Sequence, residues 1–142
     1  MNYSNEIFDT VLSFMEKADI PHEIDFQNGI VRFNLLLNDK NFDITLFIDE
    51  GTFMIYATLP VILQNEQYAS ELLMFLNKLN FGLKHGAWIL DGYTGRVFYR
   101  ISVIHGCEQP ESIIQAIHLV SMALKEQSEF LEKIIEKEEF RI

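Results

Sequence analysis

The sequence predicts an α+β fold in which an antiparallel sheet carries packed helices, in the order α-β-β-β-α-β-β-α. Apolar residues recur at helical spacing in three segments and alternate with polar residues in five shorter ones, and short polar turns join the strands. The 142 residues contain no linker and no repeat, so we expect residues 1–142 to form a single domain.

The first helix is predicted from about Ser4 to Ala18. Its apolar side follows the helical period, while acidic residues and Lys17 take the other side. Ile20-Pro21 ends it, because proline disfavours helical geometry in the residue before it. The residues of the apolar side are Phe8, Val11, Leu12 and Met15.

Three alternating segments follow, and we expect them to pair as an antiparallel meander. The turns Asn38–Lys40 and Asp49–Gly51 are short enough to make consecutive strands neighbours. The segment 22–26 is either a further short strand or a lead-in. The three predicted strands are Val31–Leu37, Phe42–Ile48 and Phe53–Leu59.

A second helix is predicted from Asn65, which can cap its first turn, to Asn80. The hairpin that follows pairs residues 87–90 with residues 97–104 and turns at Asp91-Gly92. Pro110 suits the first turn of a last helix that runs to about Glu138.

Charge and composition narrow the possible partners. The net charge of -10 disfavours nucleic acid and anionic membrane, and no apolar run reaches the ~20 residues of a membrane span. A lone cysteine, Cys107, cannot form an internal disulfide, so we expect a cytoplasmic protein. The residue pattern predicts no cofactor.

The most specific motifs of the chain lie in its second half: Leu76, Leu79 and Asn80, then Trp88-Ile89-Leu90-Asp91, Gly95, and the strand 97–103 with Arg100. With these residues and its order of elements, nearly the whole chain resembles the YbjN-like bacterial family, whose fold is that of the type III secretion chaperones. The resemblance implies an antiparallel sheet with packed helices, frequent homodimerisation, and sensory-transduction regulation or partner binding without established catalysis.

Three motifs have both a chemical and a structural interpretation. His105-Gly106-Cys107 could supply two metal ligands or a nucleophile pair, but it lacks the further ligands or the oriented base that such sites need. Asp91–Gly95 has the look of a small ligand loop, but a hairpin connection accounts for it completely. Asn80 could bind a partner or end the second helix.

The strand faces opposite the main apolar alternation form a candidate partner-binding surface. Aromatic side chains with arginine are typical of such surfaces, and an antiparallel sheet can leave one face open. The alternative is that a helix buries this face. The candidates are Arg32, Phe47, Met54, Tyr56, Phe98 and Arg100.

The second helix has a broad apolar arc, and the last helix, at about 42 Å, is longer than a five-stranded sheet is wide. We therefore expect a homodimer, with the first helix of the same chain as the alternative cover for the last one. The candidate dimer contacts are Leu72, Leu73, Met74, Phe75, Leu131 and Ile134.

These observations predict a non-enzymatic, dimeric, cytoplasmic protein that captures another protein or an unfolded segment. The alternative is a small-molecule sensor, or an enzyme with a pocket between sheet and helices, and the sequence does not exclude it.

Overall fold

The computed structural model describes residues 5–49, 52–104 and 110–140, which contain an antiparallel six-stranded sheet and three α-helices. The strands lie in the order β1-β2-β3-β4-β6-β5. The predicted fold class and element order are confirmed, and β1 is the short strand that the sequence left open. The bounds are α1 Asn5–Lys17, β1 His22–Asp25, β2 Ile30–Leu37, β3 Lys40–Ile48, β4 Thr52–Ile62, α2 Ala69–Phe81, β5 Ala87–Leu90, β6 Arg96–Ile104 and α3 Pro110–Lys137.

Strands β2 and β3 form a two-residue hairpin at the predicted turn. Asn38 and Asp39 have φ values of 52° and 64°, the left-handed pair that such a hairpin needs. Short polar side chains tolerate this region better than other non-glycine residues do. The Asp49–Gly51 turn lies partly outside the described residues.

Strand β4 is longer than the sequence predicts, because Pro60 does not end it. The strand continues to Ile62, and its pairing with β6 shifts register between Thr58 and Ile62. Proline cannot donate a ladder hydrogen bond, so it is tolerated where the ladder is already irregular. The predicted end at Leu59 was therefore wrong by three residues.

The helices pack on one face of the sheet. Side chains that alternate along β3, β4 and β6 are buried in one cluster with residues of α1, α2 and α3. In this cluster Phe8, Val11 and Met15 of α1 are fully buried, as the sequence predicts. Asn65 accepts a hydrogen bond from the Gln67 amide at 3.2 Å and caps a single 3-10 turn that leads into α2.

Four of the six predicted dimer contacts are buried within the chain itself. Leu72, Phe75, Leu131 and Ile134 all belong to the core cluster, so as surface contacts they were wrong. The distal half of α3 packs within the chain, where Phe130 contacts Phe75 of α2 and Glu132 bonds Lys40 of β3. Helix α1, the alternative cover for that segment, also packs on α3. Leu73 and Met74, 46% and 63% exposed, stay on the surface.

An ion pair between a partly exposed lysine and a buried glutamate ties the start of β3 to α3. The Lys40 ammonium donates to Glu132 Oε2, and Glu132 is buried although it is ionisable. The hydrogen bond to Glu132 raises the pKa of Lys40. Within the described part of the chain, the second oxygen, Glu132 Oε1, is buried without a hydrogen-bond partner.

The edge strand β5 is fastened by side chains from two helices. The Asn80 amide donates to the Trp88 carbonyl at 2.9 Å and accepts from the Trp88 amide at 2.7 Å. The Trp88 indole donates to Gln127 Oε1 of α3 at 2.6 Å, and its ring packs edge-on against Tyr99. Tyr99 in turn donates to the His85 carbonyl at 2.5 Å.

Asn80 therefore has a structural role, but not the one the sequence suggested. It lies inside α2, which ends one residue later, and it does not adopt the left-handed conformation of a helix-ending residue. The polar Gln127 within the apolar stripe of α3 is explained in the same way, since it satisfies the buried indole of Trp88.

The β5–β6 hairpin is a structural turn whose critical glycine is Gly95. Asp91 accepts from the Tyr93 amide at 2.9 Å, and the Gly95 amide donates to the Asp91 carbonyl at 2.9 Å. Gly95, with φ +76°, takes the left-handed conformation, whereas Gly92 does not. A Cβ on Gly95 would lie 2.5 Å from the Leu63 carbonyl oxygen, so only glycine fits there.

Candidate functional site on the open sheet face

The face of the sheet opposite the core cluster, called here the open face, carries all six predicted partner-binding residues. Side chains alternate along a strand, so these residues point away from the neighbouring core residues. None of the three described helices packs on this face. Arg32 and Arg100 are exposed, whereas Phe47, Met54, Tyr56 and Phe98 are half-buried.

A straight row crosses the centre of the open face. Antiparallel pairing aligns Arg32 of β2 with Thr45, Thr45 with Tyr56 of β4, and Tyr56 with Arg100 of β6. Three strand spacings of ~4.8 Å put the two arginine backbones about 14 Å apart. Beyond Arg32 the row continues to Glu23 of β1, and beyond Arg100 it continues to Ala87 of β5. Arg32 therefore lies beside a carboxylate and Arg100 beside an alanine, with the Tyr56 ring between the two arginines.

An aromatic line runs diagonally through this row. The ring centroids of Phe47 and Tyr56 lie 5.4 Å apart at 83°, and those of Tyr56 and Phe98 lie 6.1 Å apart at 88°. Edge-to-face pairs of this kind stabilise each other and hold the rings in place. The half-buried rings present rigid apolar area to solvent. Because they are already ordered, a partner that binds them costs little conformational entropy.

A groove of about 830 Å³ lies beside the aromatic line and crosses the strands. It begins at Glu23 of β1, passes over Thr45 and Thr58, and ends at Phe98 and Arg96. Hydroxyl, charged and aromatic side chains all contribute to its lining.

The sequence did not identify Arg96, Asp43, Thr45 and Thr58 as part of this surface. The predicted strand began one residue too late, at Val97, so Arg96 was assigned to the hairpin turn. Extending the alternation of Phe98 and Arg100 back by two positions would have placed Arg96 on the same face. The threonines and Asp43 carry no sequence signal that separates them from ordinary strand residues.

Asp91 also lines the groove, but its carboxylate is engaged in the hairpin. The hydrogen bond from the Tyr93 backbone amide lowers the pKa of Asp91, which keeps it charged and locks the turn. This favours the structural interpretation of Asp91–Gly95.

The other sequence motifs give no second site in the described residues. Residues 5–49, 52–104 and 110–140 hold no group of three potential His, Cys, Asp or Glu metal ligands. His105 and Cys107 lie outside the described part of the chain. None of the described helices is both long enough and apolar enough to cross a membrane.

Neither a family model nor a curated protein matches this sequence. Solved structures of similar fold do. The match with a chain from the crystal structure of the ExsC–ExsE complex spans 90% of this chain and 97% of that chain, with a TM-score of 0.56 and 13% identity. The match with YbjN from E. coli, a candidate transcription regulator, spans 84% of this chain and 89% of YbjN, with a TM-score of 0.60 and 13% identity.

An uncharacterised protein from Methanothermobacter thermautotrophicus also shares the fold, covering 91% of this chain and 99% of its own, with a TM-score of 0.57 and 12% identity. The predicted resemblance to the YbjN-like and secretion-chaperone fold is thus confirmed. Three of the residues that carried it, Asn80, Trp88 and Gly95, fasten β5 and its hairpin.

Proposed function

We propose that the protein is a non-enzymatic binding module, a single domain over residues 1–142, that captures a segment of another protein on the open face. The observation that carries this proposal is the aromatic line Phe47–Tyr56–Phe98, held rigid between Arg32 and Arg100 on a helix-free face. A similar fold occurs in a complex of two proteins, ExsC–ExsE, which supports the proposal by analogy.

Binding would follow from burial of the aromatic line. Apolar side chains of the partner cover the half-exposed rings and displace water, while the exposed arginines fix the orientation. Arginine suits this role because its planar guanidinium group offers several donors in a fixed geometry. No bond needs to form or break, so no catalytic group is required.

The test is affinity capture from the native lysate with wild-type protein and a Phe98→Ala/Arg100→Ala double variant. Phe81→Ala is the matched control, because Phe81 is 94% exposed at the end of α2 and lies away from the sheet. We expect partners that the wild type and the Phe81→Ala control retain and the double variant loses. Equal capture by all three proteins would contradict the proposal.

Stability measurements separate a binding surface from a core. Phe98→Ala should lower the melting temperature much less than Leu76→Ala, because Leu76 is 2% exposed and Phe98 is only half-buried. A comparable loss in both variants would show that Phe98 is a core residue.

We also propose a homodimer and a cytoplasmic location. Leu73 and Met74 remain exposed on α2, and Phe130 of α3, 55% exposed, packs against Phe75 of α2 at 5.8 Å, which extends the apolar surface to α3. A Leu73→Asp/Met74→Asp variant should be monomeric by light scattering over a dilution series in which the wild type is dimeric. A wild type that is monomeric at every concentration would contradict the proposed homodimer.

The alternative function, a small-molecule sensor, has one feature in its favour. A cleft of about 330 Å³ lies between Pro60–Ile62 of β4 and Ile135–Glu138 at the end of α3. A metabolite that raises the melting temperature of the wild type, but not of a variant in which Val61→Trp narrows the cleft from its partly exposed side, would support it.

A further inference from the structure

The connection between β1 and β2 contains the one asparagine of the sequence that is followed by glycine, Asn28-Gly29. The backbone nitrogen of the residue after an asparagine can attack the side-chain amide carbon, and glycine permits this best because it has no Cβ to crowd the attack. The other asparagines are all followed by bulkier residues. Asn28 is therefore the position at which this chain is chemically most prone to lose a side-chain amide by deamidation.

The reacting groups of Asn28 and Gly29 are engaged in the hydrogen bonds of the turn. The Asp25 carboxylate accepts from the Asn28 backbone amide at 3.2 Å and from the side-chain Nδ2 of Asn28 at 2.8 Å. The Gly29 amide, the attacking group, donates to the Phe26 carbonyl at the long distance of 3.4 Å. Asn28 is exposed, whereas Gly29 is buried. The turn must therefore open before the nitrogen of Gly29 can lose its proton and attack.

The structure makes opening of this turn inexpensive. Strand β1 has four residues, lies at one end of the sheet and pairs with β2 alone. Its side chains are exposed or half-buried, so its release uncovers little apolar area. Both hydrogen bonds between Asp25 and Asn28 are also exposed. Segments with few buried contacts and solvent-exposed hydrogen bonds open locally at low free-energy cost.

In the open turn, water is the only co-reactant that deamidation needs. Hydroxide removes the proton of the Gly29 amide, and the nitrogen forms a bond to Cγ of Asn28. The bond from Cγ to Nδ2 then breaks, and Nδ2 leaves as ammonia after it takes a proton from water. Addition of a water molecule opens the resulting succinimide ring and yields aspartate or isoaspartate at position 28, with no change in oxidation state.

The product of this reaction does not fit the closed turn. Nδ2 of Asn28 is a donor to Asp25, and deamidation puts a second carboxylate in its place. Asp25 is ionised at neutral pH, because the side-chain hydrogen bond from Asn28 lowers its pKa, and like charges at this distance repel. Isoaspartate also lengthens the backbone by a methylene group just before Gly29, whose carbonyl accepts from the Ile48 amide at 2.8 Å. Opening permits the conversion, and the conversion prevents reclosure.

We propose that Asn28 is a modification site, at which deamidation turns a reversible opening of β1 into a permanent one, and that Asp25 sets its rate by holding the turn closed. Glu23 of β1 lies opposite Arg32, and both line the groove of the open face. Permanent release of β1 therefore removes a carboxylate from one margin of the groove. The inference does not depend on the proposed capture of a protein segment.

The test is a time course of the intact protein in mildly alkaline buffer, followed by peptide mapping with mass spectrometry and enzymatic detection of isoaspartate. Asn38 is the internal control, because it also lies in an exposed turn but is followed by Asp39. The variants are Asp25→Ala, which frees the amide, and Asn28→Gln, whose longer side chain forms the cyclic intermediate far more slowly. Asp43→Ala is the matched control for loss of an exposed carboxylate elsewhere on the sheet.

We expect Asn28 to deamidate at least about tenfold faster than Asn38, because only Asn28 precedes glycine. Asp25→Ala should raise the rate at Asn28 by about fivefold, since loss of the two hydrogen bonds increases the open population. Asp43→Ala should leave the rate unchanged, and Asn28→Gln should show no conversion at this position. Amide hydrogen exchange in β1 should be faster in the aged protein and in Asn28→Asp than in fresh wild type.

Three results would overturn the inference. Equal conversion at Asn28 and Asn38 would show that the turn is not a modification site. An unchanged or slower rate in Asp25→Ala would show that Asp25 does not hold the turn closed against the reaction. Exchange of the β1 amides that is as slow in Asn28→Asp and in the aged protein as in fresh wild type would refute the release of β1. Partner capture from a lysate reports on the proposed function separately from all three.

Discussion

Asn80→Ala tests how much the fastening of β5 contributes to stability. The substitution removes the two hydrogen bonds that the amide makes with the Trp88 backbone, at 2.7 and 2.9 Å. A net hydrogen bond contributes about 1 kcal/mol, and a polar group left unpaired in a buried site costs about 1–3 kcal/mol. Trp88 is buried but Asn80 is only partly so, and water can therefore reach some of the freed groups.

These terms give an expected loss of about 2–3 kcal/mol in the free energy of unfolding. Alanine is a better helix former than asparagine by about 0.6 kcal/mol, which would mask part of that loss. Asn77→Ala, an exposed position one turn earlier in α2, has the same propensity gain without the bonds and is the matched control. The difference between the two variants isolates the fastening.

The assay is urea unfolding followed by tryptophan fluorescence. Trp88 is the one tryptophan of the sequence, so the signal reports directly on β5. The unfolding midpoint of Asn80→Ala should fall relative to Asn77→Ala, with the slope unchanged. A difference below about 0.5 kcal/mol, within the range of ordinary surface substitutions, would refute the reasoning.

Three further predictions concern the buried polar groups. Gln127→Leu should lower stability by about 1–2 kcal/mol and shift the emission of Trp88, since the indole then has no acceptor; unchanged emission would contradict this. Burial raises the pKa of Tyr99 above its ordinary 10.0. The neutral side chain therefore stabilises the fold below pH 10, and this contribution is lost as the pH rises through the pKa of the folded state. Tyr99→Phe should reduce, although not abolish, the fall in melting temperature at alkaline pH. Lys40→Met should lower the free energy of unfolding by about 3 kcal/mol, because it leaves Glu132 buried without a counter-ion. Adding Glu132→Gln should recover most of this loss, as measured by chemical denaturation. Equal stability of the single and double variants would refute the prediction.

Residue periodicity was sufficient to predict the elements and the two faces of the sheet, because each depends on local alternation. Phe98 and Arg100 could be placed on the same face as Tyr56 from their parity alone. The partners of individual side chains depend on contacts distant in sequence, and periodicity does not contain them. That is why Asn80 was expected to end a helix, when it bonds Trp88 in a different element.

The length of α3 led to the prediction that Leu131 and Ile134 contact a second copy of the chain, whereas both are buried within the chain. The apolar residues Leu131 and Ile134 extend beyond what one sheet can cover, and a second copy of the chain was an economical explanation. Residues of α2 and β3 pack against this half of α3 and supply cover from within the chain. A stripe of apolar residues shows that a partner exists, but not whether it belongs to the same molecule.

The hydrogen bonds from Asn80 to Trp88 also bear on solubility. Strand β5 forms one end of the sheet, and an end strand offers unpaired amides and carbonyls on which another chain can add. The Asn80 side chain occupies both groups of Trp88 on that outer edge, as a further strand would. One asparagine thereby protects this end of the sheet against edge-to-edge aggregation.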